Sequence, residues 1–114
     1  MNNRMIPYSE EAEVAVLAAL LLDSEHLYII REILPSSQAF YLQKHRLIYE
    51  AMLSLSKNRQ PVDYVTLTTA LEEQGHLEAA GGLAYIAGLT SQQVVFYNAR
   101  AYAETVRDRW LRRR

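Results

Sequence analysis

The chain has 114 residues, half of them apolar, no cysteine, and a net charge of −1 from 12 basic and 13 acidic side chains. A chain of this size buries roughly two-thirds of the surface its unfolded form exposes, enough for one core and too little for a large catalytic apparatus. The absence of cysteine excludes disulfides, thiolate metal sites and a cysteine nucleophile, while three prolines and four glycines among abundant Ala, Leu and Glu favour an all-α fold.

Pro7-Tyr8-Ser9 is a helix-entry signal, with Ser9 as N-cap and Glu10, Glu11 and Glu13 in the first turn, where the helix dipole favours a solvated acidic face. The run Val14 to Leu22 that follows is apolar on every side. It is either the central core helix or a helix covered partly by a second subunit. Its nine residues are about half of a membrane span, and acidic residues precede it where a secretory signal carries basic ones. By elimination the chain is expected in the cytoplasm, with no membrane partner.

Asp23-Ser24 ends the first helix and caps a short second one, in which Leu27, Ile30, Ile33 and Leu34 recur until Pro35. A longer third helix carries Leu42 (or Phe40), His45, Ile48, Tyr49, Met52, Leu53 and Leu55, and the turn Lys57 to Pro61 closes it. Asp63 caps a fourth helix that Gly75 ends. After Gly81-Gly82 comes a brief fifth helix over 83–89, weakened by Gly88. From about Phe96, Ala99, Tyr102, Ala103, Val106 and Trp110 keep helical phase to the last residue without a stop signal. The expected organisation is a bundle of about six helices over 1–95. Residues 96–114 would then begin a helix that continues past the end of this chain.

Charge is unevenly placed. Residues 1–99 hold six basic and eleven acidic side chains, whereas residues 100–114 hold six basic and two acidic. Arg107, Arg109, Arg112, Arg113 and Arg114 crowd the end. They either complement the helix dipole and stay solvated, the favoured reading, or form a phosphate-binding patch.

Catalytic patterns are missing. Lys44 and Lys57 follow Gln43 and Ser56, so no P-loop is encoded, and no Gly-x-Ser-x-Gly elbow occurs. His26, His45 and His76 lie in different elements with no metal-ligand spacing, and His45 reads as a hydrogen-bonded structural residue. The same spacing reads Tyr28, Tyr49 and Tyr85 as rings at the core edge with bonded hydroxyls, and Tyr97, Tyr102 and Trp110 as anchors for a protein partner.

Several short motifs, taken in order, resemble one family. They are Pro7 with Glu11-Ala12-Glu13, Val16-Leu17 and Leu22-Asp23, then His45-Arg46, Ile48-Tyr49 and Ala51-Met52, then Pro61-Val62-Asp63 before Thr66-Leu67. Leu71, Gly75, Leu77, Gly81-Gly82, Tyr85-Ile86, Leu89, Asn98, Tyr102-Ala103 and Val106 extend the match over nearly the whole chain. The pattern resembles the N-terminal domain of DnaB-type bacterial replicative DNA helicases. Ser91 to Phe96 departs from it, where the family often carries a proline-containing link.

The resemblance implies a helical bundle followed by the first arm of a helical hairpin, and a collar role in a hexameric helicase whose N-terminal domains pair as dimers. It implies docking of the C-terminal helicase-binding domain of primase, no catalytic residue and no cofactor or metal in this chain. ATP and Mg, and contact with DNA, belong to a separate ATPase domain of the full-length protein. Tyr85, Tyr102, Val106 and Trp110 are the expected primase or subunit contacts. Two other readings remain at this point: a single-stranded DNA-binding helical module using the arginine cluster, and a small helical enzyme.

Overall fold

A computed structural model describes residues 6–92 and 98–114 as six α-helices joined by short turns. They are α1 (Glu10–Leu22), α2 (Leu27–Ile33), α3 (Gln43–Lys57), α4 (Tyr64–Glu73), α5 (Gly82–Thr90) and α6 (Ala99–Arg113), with 3-10 turns at Ser24–His26 and Ser37–Ala39. No described residue lies in a strand. No described helix is long and apolar enough to cross a membrane.

The capping chemistry falls where the residues predict it. Ser9 Oγ accepts from the Ala12 amide at 3.1 Å, and Asp23 Oδ1 from Glu25. Asp63 and Thr66 exchange side-chain-to-backbone bonds in a full capping box at the start of α4. At the other end of α4, Gly75 takes φ +76° while the His76 amide reaches back to the Leu71 carbonyl, so the last turn is closed. The same closure follows α3, where Gln60 bonds Leu55, but Arg59 occupies the left-handed position at φ 60°. Pro35 stops α2, and Tyr49 donates its hydroxyl to the Leu34 carbonyl at 2.6 Å, satisfying an acceptor left over at the end of that helix. Burial raises the Tyr49 hydroxyl well above its ordinary range, so it remains a donor.

α1 is the central helix. Every residue from Ala15 to Leu21 is buried, and α3, α5 and α6 pack around it. Its alanines face helices that can then approach closely, which is how an all-apolar segment is covered within one small domain. Leu67, Leu71, Ile86 and Leu89 bring α4 and α5 into the same core as Ile48 and Met52 of α3.

The terminal helix contributes Ala99, Ala103 and Val106 to that one core, because α6 lies along α1 and α2. One expectation changes. Tyr28, expected at the core edge, is 66% exposed, since α2 turns only Leu27, Ile30 and Ile33 inward. The unusual link at Ser91 to Phe96 and the candidate Tyr97 fall largely or wholly on 93–97, outside the described residues.

Gly81 has a specific steric reason. At φ +106° it starts α5, and a Cβ there would lie 2.7 Å from the Tyr85 ring. Gly75→Ala, with open space around it, is expected to cost about 1 kcal/mol for the left-handed backbone alone. Gly81→Ala should cost at least about 2 kcal/mol, because the ring must also move. Paired denaturant melts of the two variants measure the difference.

Candidate functional site

The functional geometry is built on a buried carboxylate. Glu13 sits in the first turn of α1 with only 1% of its surface exposed, although the sequence places it on a solvated acidic face. The cause lies across the core. α3 begins at Leu42 with no side-chain cap, so its first amides need an acceptor from elsewhere. Glu13 Oε2 accepts from the Tyr41 amide at 2.7 Å, and Oε1 accepts from Leu42 at 3.4 Å. The carboxylate thus fixes the two amides that lead into α3, 28 and 29 residues away in sequence.

His45, fully buried in the first turn of α3, completes the arrangement. Its Nδ1 lies 2.7 Å from Glu13 Oε1, and its Nε2 lies 2.6 Å from the Tyr85 hydroxyl on α5. Since an ionised carboxylate only accepts, Nδ1 carries the proton and Nε2 accepts from Tyr85 in the neutral ring. The Tyr85 hydroxyl is pushed up to about 12, first by burial and then by the negative charges of Glu10 and Glu13. It stays protonated and donates. Lys44 lies 4.0 Å above the Tyr85 ring, a cation–π contact on the outer side of the relay.

A carboxylate, an imidazole and a hydroxyl in line have the outline of a nucleophile triad. The electrostatics run the other way. An activated nucleophile needs a hydroxyl that gives up its proton readily, whereas burial and two carboxylates oppose that here. Every buried side-chain polar atom among the described residues has a partner, so none is left waiting for a ligand. The described residues contain no group of three His, Cys, Asp or Glu placed to hold a metal. A cleft of about 320 Å³ between α1 and α5 runs along Glu10, Val14, Tyr85 and Gly88, open to solvent beside the relay.

A second cluster closes the opposite end of Glu13. Arg113 of α6 donates to the Pro7 carbonyl at 3.0 Å and the Ala39 carbonyl at 2.7 Å, and lies 5.2 Å over the Tyr41 ring. Tyr41 in turn stacks on Tyr8 at 4.4 Å. Burial lowers the Arg113 guanidinium from its usual range, and the negative charge of Glu13 opposes that shift. One guanidinium therefore ties the N-terminal segment, the Ser37–Ala39 turn and the end of α6 together.

These positions sort the expected contact residues. Val106 is 1% exposed and points into the core, which corrects its expected role as a partner contact. Tyr102 and Trp110 are half-buried against the core, with Arg114 5.3 Å over the Trp110 ring. Tyr85 has a half-buried ring and an engaged hydroxyl. The five arginines do not converge. Asp108 pairs with Arg109 at 2.6 Å and Arg112 at 3.2 Å, and Arg113 is occupied by its two carbonyls, which corrects its place among candidate phosphate contacts. Arg107 is exposed. The sequence reading missed Glu13, Tyr41 and the Arg113 clasp; the one available signal was a histidine on the inner face of α3, which had to find a polar partner.

Comparison with known proteins decides the family. A family model described as the DnaB-like helicase N-terminal domain matches residues 5–108. The chain belongs to that family. It is 38% identical over 112 residues to the replicative DNA helicase DnaB of Synechocystis, covering 98% of this chain and 13% of that protein. It is 36% identical to the replicative DNA helicase DnaC of Bacillus subtilis, over the whole of this chain and 25% of that protein. The chain thus spans a quarter or less of the length of these relatives. The crystal structure of the N-terminal domain of DnaB helicase from Mycobacterium tuberculosis matches with a TM-score of 0.91 at 32% identity, covering 96% of this chain and 77% of that one. For a DnaB-like N-terminal domain, the buried relay is an internal brace joining α1, α3 and α5.

Two measurements test the brace. His45→Phe leaves the Glu13 charge buried without its imidazole partner and is expected to cost about 3 kcal/mol or more in urea unfolding. The raised Tyr85 hydroxyl gives a signed pH dependence. Protonated Tyr85 is favoured in the folded chain, so its contribution is complete below pH 10 and is lost as pH rises from 10 toward 12. Wild-type melting temperature should fall more steeply across that window than that of Tyr85→Phe.

Proposed function

We propose that this chain is the N-terminal collar domain of a replicative, ATP-dependent DNA helicase of the bacterial cytosol, and that it serves assembly of the helicase ring and docking of primase. Membership of the DnaB-like N-terminal domain family is the observation that carries the reading. In it, ATP and Mg act in a separate domain of the full-length protein, which also holds the DNA, and this domain contributes no catalytic group. A self-satisfied relay and an internally paired arginine cluster support a role in contacts rather than chemistry.

Two faces are assigned. The exposed surface of α5, where Leu83 is 52% exposed and the Tyr85 ring half-buried, receives the C-terminal helicase-binding domain of primase. Tyr102 and Trp110, at the margin of α6, contact neighbouring helicase subunits in a hexamer of paired N-terminal domains. Holding primase on the ring raises its concentration at the fork without requiring a tight complex in free solution.

Calorimetric titration with the primase domain tests the first face. Leu83→Asp should weaken binding at least about tenfold, the size expected for a buried apolar anchor. Tyr85→Phe, which keeps the ring, should weaken it less than Tyr85→Ala. Sedimentation of Trp110→Ala within the full-length helicase tests the second, with loss of hexamer expected. Unchanged primase affinity in Leu83→Asp together with an intact hexamer in Trp110→Ala overturns both assignments.

A further inference from the structure

The relay and the arginine clasp meet at one carboxylate. From α5 inward, the Tyr85 hydroxyl is 2.6 Å from His45 Nε2, and His45 Nδ1 is 2.7 Å from Glu13 Oε1. Glu13 Oε2 holds the Tyr41 amide at 2.7 Å, and the Tyr41 ring lies under Arg113, which grips Pro7 and Ala39 from the end of α6. Every link is direct, and the path runs from α5 through His45 of α3 and Glu13 of α1 to the end of α6.

Glu13 makes this path more than a set of neighbours. With 1% of its surface exposed, it has no solvent to replace a lost donor. Its two oxygens divide their accepting capacity among His45, Tyr41 and Leu42, and its charge acts on Arg113 and Tyr85 alike. Removing the Tyr85 hydroxyl leaves His45 Nε2 buried without its partner, and the imidazole must reorient. That change alters what Glu13 receives from His45, and the loop at Tyr41 and Leu42 must compensate. The Tyr41 ring moves with its own backbone, and Arg113 rests on that ring.

We propose that Tyr85, His45, Glu13, Tyr41 and Arg113 form a coupling device by which the state of the α5 face is transmitted to the C-terminal end of α6. A partner that draws the Tyr85 hydroxyl away from His45 loosens the hold of Arg113 on Pro7 and Ala39. A change in the direction of α6 acts back on Tyr85 with equal strength, as linkage requires. The device needs no particular partner, so it stands or falls separately from the primase reading.

A double-mutant cycle on the isolated chain tests it, with Tyr85→Phe and Arg113→Gln measured singly and together by urea unfolding. Coupling predicts that the unfolding constant of the double variant departs from the product of the single effects by more than about twofold, the limit within which independent sites combine. Thr66→Ala, which acts on the cap of α4, should combine with Arg113→Gln within that limit. If Arg113→Gln fails to fold, Arg113→Lys keeps the charge but loses the two-pronged grip and takes its place. In nitrogen-15 spectra, Tyr85→Phe should shift the Arg113 guanidinium resonance and speed amide exchange in the last turn of α6. A cycle that closes within twofold, with the Arg113 resonance unmoved, overturns the device.

Discussion

A single carboxylate with almost no access to water sets the terms for the rest of this fold. Burying an ionised Glu13 is tolerable only if its lone pairs are filled by donors, and three groups supply them: the two amides that lead into α3, and the imidazole of His45 on α3. In satisfying Glu13, the segment leading into α3, which has no side-chain cap, is fixed in place. The carboxylate and the helix start therefore need one another, and the relative position of α1 and α3 has little freedom. Hydrophobic packing around α1 tolerates small shifts, since apolar contacts are non-directional. Hydrogen bonds of 2.7 Å to two different groups do not.

The same constraint orders the two outer helices. α5 is short, has glycine at its first position and again at Gly88, and buries only Ile86 and Leu89 deeply. Its propensity is poor, so Tyr85, whose hydroxyl reaches His45, is a directional anchor for a helix that apolar contacts hold weakly. α6 is anchored differently. Small residues near its start lie along α1, and Arg113 secures its last turn on two carbonyls. Both anchors refer to Glu13, one through His45 and one through Tyr41.

Helix boundaries were legible in the sequence because their causes are local. Ser9, Asp23, Asp63 and Gly75 act within a few residues, and each is found in its expected place. The all-apolar run of α1 left a central helix or one covered by a second subunit, since no exposed face was available to it, and the packing of α3, α5 and α6 around it gives the first. Glu13 was misplaced because its first-turn position is locally explained by the dipole of α1, and nothing nearby signals that its partners stand 28 to 32 residues on. Arg113 was read as part of a basic cluster, since its carbonyl partners lie 106 and 74 residues away. A charged residue with a sufficient local explanation conceals a distant one. Only His45, inward-facing on an amphipathic helix, carried a signal that a polar partner must exist.

The near-neutral total of −1 takes a different meaning in this light. The acidic bundle and the basic terminal helix are not two bodies whose charges happen to cancel, because Arg113 sits within the field of Glu13 and against the backbone of the bundle. Asp108 pairs with Arg109 and Arg112 on α6 itself and balances the charge of one of them. The charge asymmetry between the ends of the chain is thus used in part within the domain, as internal fastening by Arg113, while Arg107 and Arg112 stay exposed on α6. Leu83 and Leu111 add exposed apolar side chains on α5 and α6. Association through such surfaces responds weakly to salt.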